Sequence, residues 1–199
     1  MKKIILSLTL LFITFLSFGQ GYEVGAKAQD FNLLSTEGKM VSMADFKEAK
    51  GIIIIFTCNS CPYSIAYEDR KIALHNQFAP LGYPVIALNP NDSIVQPKDS
   101  FTKMVERASQ KSFPFNYLLD TDQKYAKIYG ATRTPHVFVL SKENNEFIVK
   151  YIGAIDDNFE DASAVTKHYV QDAVNSLLEG KTPEISSTKA IGCGIKFKK

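Results

Sequence analysis

Cys58 and Cys61 stand three residues apart, with Asn59 and Ser60 between them and Pro62-Tyr63 following. A cysteine thiolate is both a nucleophile and a metal ligand, and this spacing lets two sulfurs meet as a disulfide. Three chemistries are open to such a pair: reversible thiol–disulfide exchange, an inert structural disulfide, or half of a zinc site. Zinc would require a second Cys-x-x-Cys or a spaced histidine pair, and the sequence supplies neither. A short loop closed at a helix start is strained rather than strongly stabilising, which disfavours the inert bridge. Redox exchange is the chemistry that uses the motif best. A third cysteine, Cys193, lies between Gly192 and Gly194. It is either a bystander or, if the tail folds back, a third relay thiol or a metal ligand, since three soft thiolates suit Cu(I) or Zn(II).

The elements around the pair follow from local pattern. Gly51 to Phe56 contains four consecutive isoleucines, apolar on both faces, as expected of a strand in the middle of a sheet. Asn59 and Ser60 are good helix N-caps, so a helix is expected from Tyr63 to about Ala79. Cys58 would then lie at the mouth of the turn as the exposed nucleophile, with Cys61 one turn inside. The positive end of the helix would favour a thiolate there. Pro62 suits the first helical turn.

Before this unit, Asp30–Leu34 and Met40–Met43 flank a Thr36-Glu37-Gly38-Lys39 turn and read as a hairpin. After it come a strand at Tyr83–Leu88, a helix capped by Asp99-Ser100 and running to about Gln110, and a short strand at Asn116–Asp120. A helix at Asp122–Tyr129 closed by Gly130 follows. Thr134–Leu140 and Phe147–Ile155 read as an antiparallel pair, and Asp161–Glu179 as one long final helix. Hairpin, β-α-β, α, then β-β-α requires a three-layer α/β arrangement with a mixed sheet.

The chain has 199 residues, 45% hydrophobic and 22% charged, enough for one domain with a substantial core. Residues 1–19 are expected to lie outside it. Lys2 and Lys3 precede an apolar run from Ile4 to Phe18, and Ser17-Phe18-Gly19 offers small residues for cleavage before Gln20, the pattern of a secretory signal. The expected organisation is a signal at 1–19, a redox domain at 20–182 and a tail at 183–199 carrying Cys193, in a periplasmic or secreted protein. The whole chain carries 23 Lys+Arg against 21 Asp+Glu, and losing Lys2 and Lys3 leaves it balanced. That excludes the basic excess of a nucleic-acid binder. Membrane contact is expected only through the signal.

Several stretches together resemble the thioredoxin-fold redoxins of the alkyl hydroperoxide reductase/thiol-specific antioxidant (AhpC/TSA) group, in particular small exported proteins with Cys-Asn-x-Cys-Pro-Tyr. They are Asp30-Phe31 with Gly38-Lys39, Phe56 to Arg70, Gly130 to Pro135, and Ala190-Ile191-Gly192-Cys193. The resemblance implies a thioredoxin-like α/β/α sandwich with an N-terminal hairpin, and an oxidoreductase without cofactor or resident metal. Its substrates would be proteins bearing thiols or disulfides, and its electrons would come from a membrane thiol donor. It also implies that Cys58 and Cys61 are catalytic and that Thr134-Pro135 is a cis peptide facing them. Thr134 would then offer backbone N–H and C=O to an extended substrate segment. Cys193 and Arg133 are the accessory candidates. Arg133 could lend the thiolate positive charge, although a loop arginine more commonly pairs with a carboxylate or solvent. Two functions compete with reductase. A metal carrier would use Cys58, Cys61 and Cys193. A thiol peroxidase of the peroxiredoxin type would need a Thr-x-x-Cys, but the residue three before Cys61 is Cys58. Glu68 and Asp30 could each be a buried proton acceptor for Cys61, but a helix cap or surface charge is the expected role of either, and His136 is expected to line its strand.

Overall fold

In the computed structural model residues 21–198 are described, and the expected signal at 1–19 lies outside them. Strands β1 (Asn32–Ser35) and β2 (Met40–Ser42) form the hairpin, and β3 (Gly51–Phe56) is the isoleucine strand. Then come β4 (Val85–Asn89), β5 (Asn116–Leu119), β6 (Arg133–Thr134), β7 (His136–Glu143), β8 (Glu146–Gly153) and β9 (Cys193–Gly194). The main sheet has the order β2-β1-β5-β4-β3-β7-β8, and β6 pairs with β9 in a separate two-stranded ribbon. β3, β4 and β5 run parallel, while β7 and β1 join them antiparallel. β3 therefore sits inside the sheet with neighbours on both edges, the position its unbroken apolar run predicts. The fold is thioredoxin-like.

Alternation along β3 separates two cores. Ile52, Ile54 and Phe56 pack with Phe31, Tyr129 and Phe138 on one face. Ile53 and Ile55 pack on the other with Tyr67, Leu74, Phe78 and Val174. Every residue from Ile52 to Phe56 is fully buried. Helix α4 (Lys124–Tyr129) covers the first face. Helices α2 (Glu68–Phe78), α3 (Phe101–Lys111) and α5 (Tyr169–Leu178) cover the second.

Three boundaries differ from the sequence reading, each for a local reason. The helix after the cysteines is two helices, α1 (Pro62–Ala66) and α2, broken at Tyr67. The Ser64 carbonyl accepts from the Lys71 ammonium at 3.2 Å, and the Tyr67 hydroxyl is anchored on Asp156 at 2.7 Å. A side chain supplied to a helix carbonyl in this way is a recognised cause of a break. Second, the final helix begins at Tyr169 rather than Asp161. Asp157, Asn158 and Asp161 side chains accept the backbone N–H groups of Thr166, Glu160 and Ser163, so side-chain turns win over the helix ladder. Third, the tail is built into the fold. Thr188 N–H bonds to the Ile152 carbonyl, Ile195 is buried, and Asp92 N–H donates to the Lys196 carbonyl.

Candidate active site

The thiols are positioned by the end of β3. Thr57 N–H still reaches the Leu88 carbonyl of β4 at 2.8 Å, and the chain then turns through Cys58, Asn59 and Ser60 into α1. Asn59 and Ser60 do not cap the helix. Cys61 occupies the N-cap position with extended backbone, φ −77° and ψ 126°, and Pro62 opens the helix as expected. Asn59 and Ser60 instead give both backbone N–H groups to the buried Asp99 carboxylate, at 2.7 and 3.1 Å. The Ser60 hydroxyl adds a bond to Asp99 at 2.8 Å, and the Tyr117 hydroxyl fixes Asn59 Oδ1 at 2.9 Å.

Thr134 faces both sulfurs. Its hydroxyl lies 3.2 Å from Cys58 Sγ, and its carbonyl oxygen accepts from Cys61 Sγ at 3.1 Å. The Thr134–Pro135 bond is cis. Cys58 Sγ also approaches the Ser64 hydroxyl at 3.9 Å. Cys193 is the strand partner of Thr134, so the third sulfur joins the same cluster. All three cysteines are free thiols. Arg133 is exposed and donates to the Gly192 carbonyl at 2.8 Å, so it braces the tail rather than serving the Cys58–Cys61 pair.

Cys58 is not the exposed member of the pair. Both cysteines are only 3% exposed, and Cys58 is the more deeply surrounded. The charge distribution also favours Cys61. The neighbouring Cys58 thiol draws the Cys61 pKa down to about 4 against the opposing effect of burial, helped by Cys193 and by the Ser64 backbone N–H at the helix start. Cys58 moves the opposite way, because of Cys61 first, then burial, then the Asp99 charge. The two titrate as a unit whose first proton leaves more easily than that of an isolated thiol, at the loss of the Cys61 bond to the Thr134 carbonyl.

Beneath them lies Lys71, a buried cation that sequence reasoning passed over. Its ammonium donates to Thr57 Oγ1 at 2.8 Å and to the Ser64 carbonyl. Burial lowers its pKa to about 8, opposed by the Glu68 carboxylate and then by Cys58. Tyr67, Lys71, Leu74 and Phe78 form one stripe at helical spacing, and a lysine on an otherwise apolar stripe was the available signal. Glu68 is not surface charge: it is buried and held by Arg107 through two 2.7 Å bonds. Asp30 does cap, accepting Met43 N–H at 2.7 Å. His136 is buried beside the site, its pKa pulled down to about 4 by desolvation, and it accepts the Thr132 N–H.

Thr57 is committed to Lys71 rather than to a reacting sulfur. Among the described residues no group of three or more His, Cys, Asp or Glu side chains is arranged to hold a metal ion, so the three-cysteine carrier finds no geometric support. No helix among them is long and apolar enough to cross a membrane.

Known proteins share this architecture. A solved structure of an uncharacterised conserved protein from Geobacillus kaustophilus superposes with a TM-score of 0.82 at 31% identity, covering 90% of this chain and 95% of that one. The thiol-disulfide oxidoreductase ResA of Bacillus thuringiensis subsp. konkukian is 27% identical over 61% of this chain, and the match spans 65% of ResA's own length. A Helicobacter pylori protein provisionally named a peroxiredoxin is 26% identical over 78% of this chain and 97% of its own. The chain thus matches a little under two thirds of the length of ResA. The AhpC/TSA family profile matches residues 24–155, taking in the hairpin, the Cys58–Cys61 turn and the Thr134-Pro135 loop, and the chain belongs to that family.

Proposed function

We propose that this protein is an exported thiol-disulfide oxidoreductase that exchanges the Cys58–Cys61 dithiol and disulfide with thiols of other proteins. The observation that carries this reading is the shared approach of both sulfurs to Thr134, with Cys61 at a helix start and polarised toward thiolate. The similarity to ResA supports the same chemistry. Cys61, at the helix start, ionises more readily than Cys58 and gives up its bond to the Thr134 carbonyl in doing so. Cys58 completes the disulfide from the interior, and Asp99 and Lys71 hold the loop and its charge balance from below. A membrane thiol donor returns the electrons after export directed by residues 1–19. Peroxidase chemistry has a relative in its favour but lacks the threonine hydroxyl three residues before Cys61.

The test is insulin reduction by purified protein in the presence of dithiothreitol. Cys58→Ser and Cys61→Ser are each expected to abolish the protein-dependent rate. Peroxide consumption that outpaces insulin reduction would replace this reading with the peroxidase. For export, the extracytoplasmic protein is expected to begin at Gln20, and a retained Met1 would count against a cleaved signal.

A further inference from the structure

The tail lies beside the thiols, paired with the strand that carries Thr134. β9 pairs antiparallel with β6, placing Cys193 opposite Thr134 and Gly194 opposite Arg133. The tail is fastened on both sides of Cys193. Before it, Arg133 donates to the Gly192 carbonyl at 2.8 Å, and Gly192 lies so near the Thr134 carbonyl that a Cβ there would stand 2.2 Å from the oxygen. After it, Ile195 N–H reaches the Thr132 carbonyl at 3.2 Å, and Lys196 N–H donates to Asn91 at 2.8 Å. Cys61 Sγ touches the carbonyl of the residue whose strand partner is Cys193, so these two sulfurs flank one peptide.

Accessibility divides the three thiols. Cys58 and Cys61 are each 3% exposed, whereas Cys193 is only partly buried. A substrate disulfide approaching this face meets Cys193 first.

We propose that Cys193 is the outer member of a three-sulfur relay, through which the buried pair passes electrons to its protein substrate. This rests on the reading of Cys58 and Cys61 as a redox pair. Loss of the proton that Cys61 holds toward the Thr134 carbonyl opens the sequence, leaving protons on Cys58 and Cys193 and the charge on Cys61. Cys193 attacks the substrate disulfide while its proton passes to the adjacent Cys61. The first substrate sulfur leaves with the bonding pair and takes that proton. The restored Cys61 thiolate attacks the Cys193 sulfur of the mixed disulfide, forming a Cys61–Cys193 bond and expelling the second substrate sulfur as thiolate. Cys58 then attacks Cys61, forming the Cys58–Cys61 disulfide, and its proton goes to the released Cys193. Two electrons and two protons have left the protein, the opening proton to water, and the second substrate thiolate takes its proton from water. Burial, and then Cys61, hold the Cys193 thiol up at about 11, while Lys196 and Arg133 oppose them, so its proton is released only as the attack proceeds.

Two measurements test the relay. Cys58→Ser, oxidised with one equivalent of oxidised glutathione and digested without reduction, is expected to yield a peptide pair joined through Cys61 and Cys193. Glutathione adducts alone, or two free thiols, would overturn the relay. Cys193→Ser, with an unchanged circular dichroism spectrum, is expected to reduce insulin at least tenfold more slowly than wild type. Wild type that is active while Cys193→Ser is equally active or faster overturns the relay alone, a faster variant marking the tail as a cover. Wild type that fails to reduce insulin sinks the redox reading itself.

Discussion

Asp99 grips Ser60 twice, its Oδ1 accepting the backbone N–H at 3.1 Å and its Oδ2 the hydroxyl at 2.8 Å. The same carboxylate takes the Asn59 N–H and the Asn91 amide, each at 2.7 Å. The dipeptide between the cysteines is therefore shaped from a distant loop rather than by helix capping. Asp99→Asn replaces one acceptor oxygen with a donor facing groups that also donate. Hydrogen bonds to a charged group contribute about 1.5–3 kcal/mol each, and they fail together here, so a loss of about 3 kcal/mol is expected in urea denaturation. Removing the negative charge should also let the Cys58 thiol ionise more readily, seen as a lower second step in a thiolate absorbance titration. Unchanged stability would show that the loop is shaped by something else.

Lys71 gives a pH signature. Burial brings its pKa from 10.5 down to about 8, so the folded chain holds this proton less tightly than the unfolded chain does. Between those values the unfolded state binds more protons, and stability rises with pH across the window. A gap of that size corresponds to about 3 kcal/mol. Lys71→Met should lose this rise, so the variant's stability relative to wild type falls as pH climbs from 8 to 10.5. Parallel stability curves for the two proteins would show that the lysine is solvated in solution. The variant's Cys61 should also titrate higher, because the cation favours thiolate.

What the sequence disclosed and what it withheld divide along contact distance. Four isoleucines in Gly51–Phe56 announced an internal strand, because burial on both faces leaves no polar position, and the structure places that strand between β4 and β7. Cys58, Cys61 and Thr134-Pro135 were legible as a cluster from motif and resemblance, and they meet. Asp99 was legible only as a helix cap, since a carboxylate before Ser100 has that local use. Its turn toward the cysteine loop is a tertiary contact that no local pattern encodes. The helix break at Tyr67 was hidden for the same reason. It depends on Lys71 and Asp156 reaching back, while every residue from Pro62 to Phe78 except Pro62 itself tolerates a continuous helix. The exposure of Cys58 was misjudged because strand-end position says nothing of the Thr134 and Ser64 side chains packed against it.

His136 should make the protein acid-sensitive. Desolvation lowers its pKa from 6.5 to about 4, so as pH falls through that window the unfolded state gains a proton that the folded state refuses. Stability is lost over the same range, by about 3 kcal/mol at its lower end. His136→Asn keeps an oxygen to accept the Thr132 N–H and removes the titration. Urea midpoints at neutral pH and at about pH 4.5 should diverge more for wild type than for the variant. Equal acid losses in both would place the sensitivity elsewhere.

Gly192 is where the tail comes closest to the site, and it tests whether β9 stays docked. A Cβ at this position would stand 2.2 Å from the Thr134 carbonyl oxygen, 2.6 Å from its carbon and 3.0 Å from Pro135 N. All three are backbone atoms of the loop that faces the thiols, so the strain cannot be relieved by a side-chain rotation. Gly192→Ala should therefore lift β9 from β6 at a cost of about 1–3 kcal/mol, the range for overpacking a close contact. With β9 displaced, Cys193 loses its partner at Thr134 and Cys61 loses its cover. Alkylation of both by iodoacetamide is expected to accelerate at least tenfold, while Cys58, deeper and against Thr134 and Ser64, changes little. Arg133→Ala removes only the bond to the Gly192 carbonyl and should produce the same effect more weakly. Alkylation rates that match wild type in both variants would mean that β9 already leaves β6 freely in solution.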